Sequence, residues 1–329
     1  MDVLSDVLRV VRLSGAVFFT AEFSSPWRIS SPRAQVLTQI LMPGAESISL
    51  FHVLTNGECW VGYEGIGPVK MNRGDVIVFP RAKRHFMGST LEGKSTPITD
   101  IVPLSRPTAV QRIRYGGGGE VSSFVCGYLQ CEQRFNPLMG TLSEMIHIRR
   151  RESDAWLDLT LKRTIEEAES SKSGSSAMLS RLVELLFVDV LRRHMATMSQ
   201  EAAGWLAGLR DPSVGHSLEL LHSDPSRGWT VEILAREVGT SRSLLADRFS
   251  QLIGTSPMRY LTNWRIQLAR FYLLEERLSI CQVAQLVGYD SEAAFNRAFK
   301  RVVGAPPAAW RRGRIEFESP APPRRSNRK

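Results

Sequence analysis

The chain has 329 residues, which suits two domains that each bury a core of their own. No apolar run approaches the roughly 20 residues of a membrane span, and the N-terminus lacks the basic-then-apolar order of a signal peptide, so the sequence excludes a membrane protein and predicts a cytoplasmic one. The formal net charge is +9, and the segment from Asp224 to the end carries 18 Lys and Arg against 10 Asp and Glu, which is typical of a phosphate-binding surface.

The N-terminal third predicts one helix followed by a β-rich domain. Residues 2–13 form an amphipathic pattern with Val3, Val7 and Val11 on one side. Short apolar or alternating runs then predict strands, with Asn56-Gly57 as a hairpin turn and residues 116–119 as a flexible one. The predicted strands cover residues 16–19, 36–41, 48–54, 59–63, 76–79, 98–102 and 124–129. Many strands without intervening helices predict an all-β sandwich or barrel.

Part of this domain resembles the cupin barrel. Residues 74–80 read Gly-Asp-Val-Ile-Val-Phe-Pro and are followed by Arg84-His85, as in the second cupin motif. His52 lies where the first motif places a metal-binding histidine, but Leu50 and Leu54 occupy the positions two residues away. The resemblance implies a cupin-like domain without the full set of three His and one Glu.

A substitute zinc site is one hypothesis for this domain. Cys126 falls on a late predicted strand that can bring its sulfur near His52 and His85, and two imidazoles with a thiolate suit zinc. Cys131 is expected to face the opposite side of that strand. The alternative is that Cys126 is a small buried hydrophobe and that both histidines satisfy local hydrogen bonds. Both interpretations are compatible with the sequence.

The middle of the chain predicts long helices over residues 156–169 and 177–195, separated by a Ser-rich turn. The second carries a broad apolar stripe formed by Met178, Leu182, Leu185, Leu186, Val188 and Leu191. This stripe predicts either packing against the β domain or a homodimer interface, and we favour the homodimer. A further helix is predicted over residues 205–221, with Asp211-Pro212 as a candidate hinge and residues 224–228 as a domain boundary.

One helical pattern occurs twice in the last hundred residues. The first copy runs from Ala235 through Gly239 to Ser241, and the second runs from Ala284 through Gly288 to Ser291. In each copy a glycine ends one helix in the left-handed conformation and a serine caps the next. This arrangement predicts two helix-turn-helix motifs.

The repeat resembles the DNA-binding domain of the AraC family of transcription regulators. The resemblance rests on Ile280, Ala284, Gly288, Tyr289, Ser291, Phe295, Phe299, Lys300, Gly304, Pro307, Trp310 and Arg311, with Gly254, Pro257 and Tyr260 repeating part of it in the first copy. It implies a linker helix, predicted here over residues 258–274, that holds two recognition helices for successive major grooves about 34 Å apart. It also implies homodimerisation and RNA polymerase as a partner.

The recognition helices supply the candidate DNA-binding residues. Predicted core positions are Phe295, Phe299 and Val302 in the second copy, and Leu244, Leu245 and Phe249 in the first. The remaining positions are the candidates for contact with double-stranded DNA: Arg242, Ser243, Ala246, Asp247, Arg248, Glu292, Ala293, Asn296, Arg297, Lys300, Arg301 and Arg311. Arg242, Ser243, Asn296 and Arg297 are expected to contact bases, whereas Arg248, Lys300, Arg301 and Arg311 are expected to contact phosphates. Asp247 departs from the family pattern because a carboxylate repels phosphate.

The sequence therefore predicts an AraC-like transcription regulator with no catalytic residues. We expect a cupin-like barrel over residues 1–135, a helical dimerisation region over 136–223, an all-α double helix-turn-helix over 224–313 and a basic, disordered tail over 314–329. A small-molecule effector in the barrel is expected to control DNA binding. The alternatives are a metal-dependent cupin enzyme fused to a DNA-binding domain, and a nonspecific architectural DNA protein.

Overall fold

A computed structural model describes residues 2–11, 14–41, 48–63, 65–102, 110–130, 136–150, 155–170, 172–199, 202–275 and 278–318. The chain forms two compact units. Residues 11–202 make up one unit, and residues 1–10 together with 203–329 make up the other. None of the described helices is both long enough and apolar enough to cross a membrane.

The elements of the first unit, together with the helix that precedes it, follow one another in this order: α1 (Val3–Val11), β1 (Ser14–Ser24), β2 (Arg28–Ser30), α2 (Ala34–Leu41), β3 (Ile48–Asn56), β4 (Glu58–Tyr63), β5 (Ile66–Asn72), β6 (Val76–Phe79), β7 (His85–Gly88), β8 (Thr96–Pro97), a 3₁₀ turn (Ile98–Asp100), β9 (Gln111–Gly116), β10 (Val121–Gln130), β11 (Ile146–Ile148), α3 (Ala155–Ala168) and α4 (Ser175–Thr197). The helices of the second unit are α5 (Trp205–Arg210), α6 (Pro212–Ser223), α7 (Val231–Glu237), α8 (Arg242–Ile253), α9 (Pro257–Glu275), α10 (Ile280–Leu286), α11 (Glu292–Val303) and α12 (Pro307–Glu318).

The first unit contains two sheets that share one apolar core. The six-stranded sheet has the order β11-β6-β3-β10-β1-β9, and the five-stranded sheet has the order β5-β4-β7-β2-β8. Strand β3 pairs antiparallel with both β10 and β6. Core side chains come from both sheets, for example Phe79 and Phe124 from the larger one and Val61 and Met71 from the smaller one. The predicted β-rich N-terminal domain is confirmed.

Strand β3 is buried on both faces because a helix covers the outer face of its sheet. Leu50 and Leu54 belong to the core. Phe51 and Val53 instead face Val183 and the other apolar residues of α4 across a small cavity. A strand covered on both sides reads as a continuous apolar run rather than an alternating one. This explains why residues 48–54 show no alternation of buried and exposed positions and why even Ser49 and His52 are buried.

Two of the predicted strands are wrong. Residues 36–41 belong to helix α2, in which Leu37 is buried and the Thr38 Oγ1 donates to the Ala34 carbonyl. Residues 98–102 contain the short 3₁₀ turn instead of a strand. Short apolar runs fit either a buried helix or a buried strand, so periodicity alone did not separate them.

The two predicted hairpin turns have other roles. Asn56-Gly57 joins β3 to β4, and these strands lie in different sheets, so the dipeptide makes a corner between sheets. Residues 116–119 lead from β9 to β10, which lie on opposite sides of β1 rather than beside each other. The backbone of this segment bonds the end of β1, where Gly117 N donates to Ser24 O. The sequence therefore predicted correctly that the chain turns at both places, but the strands on either side of each turn do not pair with each other.

The helical part of the first unit agrees with the prediction, with one refinement. Helices α3 and α4 are found close to the predicted bounds. The apolar stripe of α4 is divided, because Leu186 and Leu191 are buried whereas Met178 and Leu185 are 54% and 53% exposed.

The second unit is all α-helical, as predicted, and the linker helix is confirmed as α9. The predicted helix over residues 205–221 is broken into α5 and α6 at Asp211, whose carboxylate caps α6. Helix α12 continues to Glu318, so the predicted tail begins as helix. Cys131 and residues 319–329 lie outside the described residues.

The N-terminal helix α1 packs in the unit that contains the C-terminal helices. Its valines Val3, Val7 and Val10 are buried. Asp6 Oδ2 lies 4.0 Å from His222 Nδ1, and the Arg9 guanidinium lies 5.4 Å from the centre of the Phe271 ring. Residues 2–10 therefore belong to the helical unit and contribute three buried valines to it, whereas the sequence assigned them to the barrel.

A buried hydrogen-bonded chain lies at the centre of the helical unit. The indole N–H of Trp205 donates to the Tyr260 hydroxyl at 2.9 Å, and this hydroxyl lies 2.8 Å from His222 Nε2. Because the indole can only donate, the Tyr260 hydroxyl is free to donate to His222. His222 also stacks on Trp264 with ring centres 4.1 Å apart. The chain joins α5, α6 and α9.

We expect the substitution Val7→Ala to loosen the helical unit although Val7 lies far from it in sequence. Removing two buried methyl groups should cost about 1.5 kcal/mol, or roughly tenfold faster exchange of amides that open with the unit. Hydrogen exchange of an α9 peptide measures this rate. Val36→Ala, in the first unit and 43% exposed, is the control and should leave the α9 peptide unchanged. Equal exchange in wild type and Val7→Ala would contradict the packing of α1.

Candidate functional sites

Each helix-turn-helix is built by a glycine and a serine, as the repeat predicted. Gly239 and Gly288 have φ of 71° and 82°, in the left-handed region. Ser241 Oγ accepts from Leu244 N at 3.3 Å, and Ser291 Oγ accepts from Ala294 N at 3.2 Å. These caps start α8 and α11 at matched positions.

The second motif needs its glycine for a further reason. A Cβ atom on Gly288 would lie 2.6 Å from the Ser226 Cα, whereas a Cβ on Gly239 would meet nothing within 4 Å. Arg265 holds the segment against which Gly288 packs, since it donates to the carbonyl oxygens of Pro225 and Arg227. Residues 224–228, where the sequence predicted a domain boundary, thus lie inside the helical unit, whose C-terminal segment begins at Ala203.

The inner faces of both recognition helices are buried. Phe295 and Phe299 in α11 are fully buried, as are Leu245 and Phe249 in α8. The Phe295 and Phe299 ring centres lie 5.6 Å apart. Burial of these side chains among the other helices of the unit fixes the rotation of each recognition helix about its axis, and thereby decides which side chains face outward.

The outer face of α11 presents most of its predicted side chains. Arg297, Lys300 and Arg301 are exposed, together with Glu292 and Ala293. Asn296 is half-buried, and its Oδ1 atom is buried without a hydrogen-bond partner among the described residues. The face is basic along its C-terminal half, where two of its last residues are cations.

The outer face of α8 differs in charge. Arg242, Ser243 and Asp247 are exposed and Ala246 is half-buried. The Arg242 guanidinium pairs with Glu232 at 2.8 Å. Positive charge on this face is therefore partly neutralised within the unit, and Asp247 adds a negative charge.

Two of the residues that are predicted to contact phosphates also have hydrogen-bond partners within the unit. Arg248 Nε donates to Asp211 Oδ2 at 2.8 Å, which ties α8 to the N-terminus of α6. Burial of the carboxyl opposes a low pKa at Asp211, but hydrogen bonds from the Val214 backbone N–H and from Arg248 hold the pKa below its ordinary value. Arg311 Nη2 donates to the Leu278 carbonyl at 2.7 Å. The sequence did not reveal these partners because they lie 37 and 33 residues away.

Leu244 was predicted to be buried and is not. Its side chain is 62% exposed, on the same side of α8 as Ser243, Asp247 and Gln251. Leu245, the next residue, fills the core position alone. Either of two adjacent leucines can occupy one core position of a helix, and the sequence did not show that only one of them is buried.

The first unit brings together His52, His85 and Cys126, as the sequence hypothesis required. His52 and Cys126 are directly opposite each other on β3 and β10. His52 Nδ1 lies 3.0 Å from Cys126 Sγ, and His52 Nε2 lies 3.0 Å from His85 Nε2. His85 Nδ1 lies 2.9 Å from the Lys83 carbonyl oxygen. The four groups form one hydrogen-bonded chain, which we call the cysteine–histidine chain.

The Lys83 carbonyl at the end of this chain determines which atom donates in each of its hydrogen bonds. Because a carbonyl only accepts, His85 Nδ1 donates to it, and a neutral His85 then accepts at Nε2. His52 consequently donates from Nε2 and accepts at Nδ1, where the Cys126 thiol donates. Burial favours these neutral forms: it lowers the pKa of His85 to about 4, although the bond to Lys83 opposes this, and burial beside His85 lowers the pKa of His52 well below its ordinary value. Burial also raises the pKa of the Cys126 thiol.

This geometry does not fit the zinc site that the sequence suggested. The two nitrogens of His52 point in different directions, one to each partner, so an ion shared with His85 cannot also reach the Cys126 sulfur. Zinc requires ligands that converge at about 2.0–2.3 Å. No group of three or more His, Cys, Asp or Glu side chains in the described ranges is arranged to hold a metal ion. The alternative interpretation, satisfied buried hydrogen bonds, accounts for the three residues.

A small apolar cavity lies beside the cysteine–histidine chain. Its volume is about 40 Å³, and most of its lining is aromatic or aliphatic. The lining residues are Phe19, Phe23, Ile29, Ser31, Leu37, Leu50, His52, His85, Met87, Ile98, Cys126 and Gly127. The cavity is large enough for a small group but is smaller than a typical drug-sized site.

Two helix-turn-helix motifs in one basic helical unit, which follow a β-rich unit of two sheets along the chain, define a class of DNA-binding proteins. A family model described as "Cupin" matches residues 2–196, and one described as "Helix-turn-helix domain" matches residues 234–313. A putative AraC-like transcription regulator of Streptomyces lividans is 31% identical over 320 residues, which are 95% of this chain and 98% of the relative. The chain belongs to the AraC-like, DNA-binding transcription regulators and has an N-terminal cupin domain.

Other similar proteins are also regulators. The HTH-type transcriptional regulator AlkR of Acinetobacter baylyi is 26% identical over 318 residues, covering 94% of this chain and 99% of the relative. Among solved structures, the DNA-binding domain of AdpA in complex with a target DNA is 28% identical and covers 33% of this chain and 96% of that chain, with a TM-score of 0.32.

We expect the cysteine–histidine chain to make stability depend on pH. The unfolded-state pKa of histidine is about 6.5, and that of folded His85 is about 4. As the pH falls, His85 therefore takes up a proton in the unfolded chain before it does so in the folded protein. The contribution of His85 to the free energy of unfolding is fully present above neutral pH and is lost below it, by about 1.4 kcal/mol per pH unit. Urea unfolding at pH 7.5, 6 and 5 should show a smaller loss for His85→Asn than for wild type. Equal losses would mean that His85 is not held neutral.

Proposed function

We propose that the protein is a sequence-specific transcription regulator that places α8 and α11 in two successive major grooves of DNA. The observation that carries this proposal is the pair of serine-capped helices with buried inner faces and exposed outer faces, joined by one long helix, α9. A B-DNA major groove admits an α-helix, and grooves on one side of the duplex recur about every 34 Å. Both helices act from the same unit, so one protomer reads two half-sites.

In this proposal α11 combines base and phosphate contacts. Arg297 projects from the middle of the exposed face and reads a guanine through two hydrogen bonds, whereas Ala293 leaves room for the approach. Lys300 and Arg301 contact phosphates and set the register of the helix. Asn296 contributes through its amide after a small rotation, because its Oδ1 atom has a buried and unsatisfied position. Glu292 is placed at the edge of this face.

Helix α8 reads its half-site with less positive charge. Ser243 accepts or donates a hydrogen bond at a base edge, Asp247 accepts one from a cytosine amino group, and Ala246 permits close approach. Arg242 reaches the DNA only by leaving Glu232, and this exposed, solvent-screened ion pair contributes little to stability. Arg248 and Arg311 act mainly as internal ties and add general positive charge.

The N-terminal unit is proposed to sense a small-molecule effector. A ligand in the apolar cavity beside the cysteine–histidine chain would change DNA affinity by the ratio of its affinities for two states of the protein. The cavity favours a small apolar group, because the polar atoms of the chain already bond one another. We further propose that the protein works in the cytoplasm and acts on RNA polymerase.

A homodimer is the proposed working form. Helices α3 and α4 contact each other and expose large apolar side chains, with Trp156 at 45% and Leu159 at 59% on α3, and Met178 and Leu185 on α4. Isologous dimers are the commonest soluble assemblies, and exposed apolar side chains supply the burial they need.

We expect the purified protein to bind its own upstream DNA selectively in the presence of random competitor, and more weakly at higher salt, because phosphate contacts release counterions. Arg297→Ala should lose about 1–3 kcal/mol on the selected site and relax the preference at one position. Arg301→Ala, a matched control on the same helix, should weaken selected and random DNA by the same factor. Binding without sequence preference in the wild type would contradict the proposed function. If Arg297→Ala, like Arg301→Ala, weakened binding to selected and random DNA by the same factor, the role of Arg297 would be contradicted.

The dimer is tested by a charge in the exposed apolar face. Leu185→Asp should shift the sedimentation of the protein from dimer to monomer, because burying an unpaired carboxylate is costly. Leu91→Asp is the control, since Leu91 is 42% exposed in the same unit but lies outside α3 and α4. A wild type that sediments as a monomer at micromolar concentration, or a dimer that survives Leu185→Asp, would contradict this interface.

A further inference from the structure

Leu244 is an unusual residue to find on the outside of a recognition helix. Among the described residues of the helical unit, it and Leu286 are the exposed large hydrophobic side chains, at 62% and 51%. Single exposed leucines are common on protein surfaces, so exposure alone means little. The position of Leu244 is what distinguishes it from Leu286, which lies on α10.

Leu244 stands in the first turn of α8. Its backbone N–H donates the hydrogen bond that the capping Ser241 hydroxyl accepts. Recognition helices contact base edges mainly with residues of their N-terminal part. Leu244 also shares the exposed side of α8 with Ser243 and Asp247, two of the proposed base contacts.

The charges around α8 favour an apolar contact. Arg242 is paired with Glu232 and Arg248 with Asp211, each at 2.8 Å. The exposed charge that remains on the middle of the face is the carboxylate of Asp247. This helix therefore has less attraction for phosphate than α11, so shape and apolar contact carry more of its base recognition.

The corresponding position in the other recognition helix is different. Counting from the capping serines Ser241 and Ser291, Leu244 corresponds to Ala294, which is small and half-buried. The branched apolar group is thus specific to α8, and the two half-sites are read by different chemistry.

We propose that Leu244 determines part of the DNA specificity by contacting the C5-methyl group of a thymine in the half-site read by α8. This methyl is the apolar group that bases present in the major groove. The proposal rests on the proposed function, because it requires α8 to enter the major groove. It adds to the proposed hydrogen-bonded base contacts an apolar contact between Leu244 and a thymine that those side chains do not read.

The test compares thymine with uracil, which differ only by this methyl group. Binding sites are first selected from random duplex DNA with the wild-type protein, and each thymine of the selected site is then replaced singly by uracil. At one position we expect uracil to weaken wild-type binding about fourfold, the effect of one buried methyl group. Leu244→Ala should bind the thymine and uracil duplexes equally at that position.

Two further variants locate the effect. Arg297→Ala should relax selection in one half-site, and the sensitive thymine should lie in the other half-site, about one helical turn away. Leu286→Ala, a leucine of comparable exposure outside the recognition helix, should keep the fourfold ratio. Both leucines are exposed, so both variants should unfold at the wild-type temperature.

The outcomes separate this proposal from the function on which it rests. If the wild type selects a site but every uracil duplex binds as well as thymine, or if Leu244→Ala keeps the same ratio as the wild type, the role of Leu244 is overturned while the regulator function stands. If the wild type selects no sequence, the proposed sequence-specific function fails, and the role of Leu244 fails with it.

Discussion

The helical unit depends on the buried hydroxyl of Tyr260. It accepts from Trp205 on α5 and faces His222 on α6, while Tyr260 itself lies near the start of α9. Burial lowers the pKa of His222 to about 3, so the histidine stays neutral and keeps its place as an acceptor. Because α9 contacts α8, α10, α11 and α12, an anchor at its start also positions both recognition helices.

The same physical rule shapes the β-rich unit, where buried polar groups are satisfied by one another. In the cysteine–histidine chain each neutral group donates once, toward a carbonyl that can only accept. A low-dielectric interior makes an unpaired polar atom costly and a paired one favourable. The cysteine–histidine chain is therefore first a structural feature of the core, and its side chains also form a polar part of the wall of a small apolar cavity.

The two helix-turn-helix motifs share a backbone but differ in surface chemistry. In both motifs a left-handed glycine follows the first helix and a serine caps the second, so that α8 and α11 begin in the same way. On α11 the exposed cations are available to DNA, whereas on α8 two arginines are used within the unit and a leucine faces outward. A duplicated fold with diverged faces allows one protomer to read an asymmetric site, which a symmetric pair of identical faces would not.

Sequence alone determined what depends on neighbours along the chain: the two motifs with their caps, the linker helix, the helical and β-rich halves, and the outward position of Arg297 and Lys300. These follow from helical period and from the conformations of Gly and Ser, which are local properties. Only the tertiary structure decided that Asn56-Gly57 joins two sheets, that α1 packs in the helical unit, that Arg248 pairs with Asp211 and that Leu244 faces outward. Each of these depends on which distant segment packs against which surface, and a local pattern carries no information about that partner.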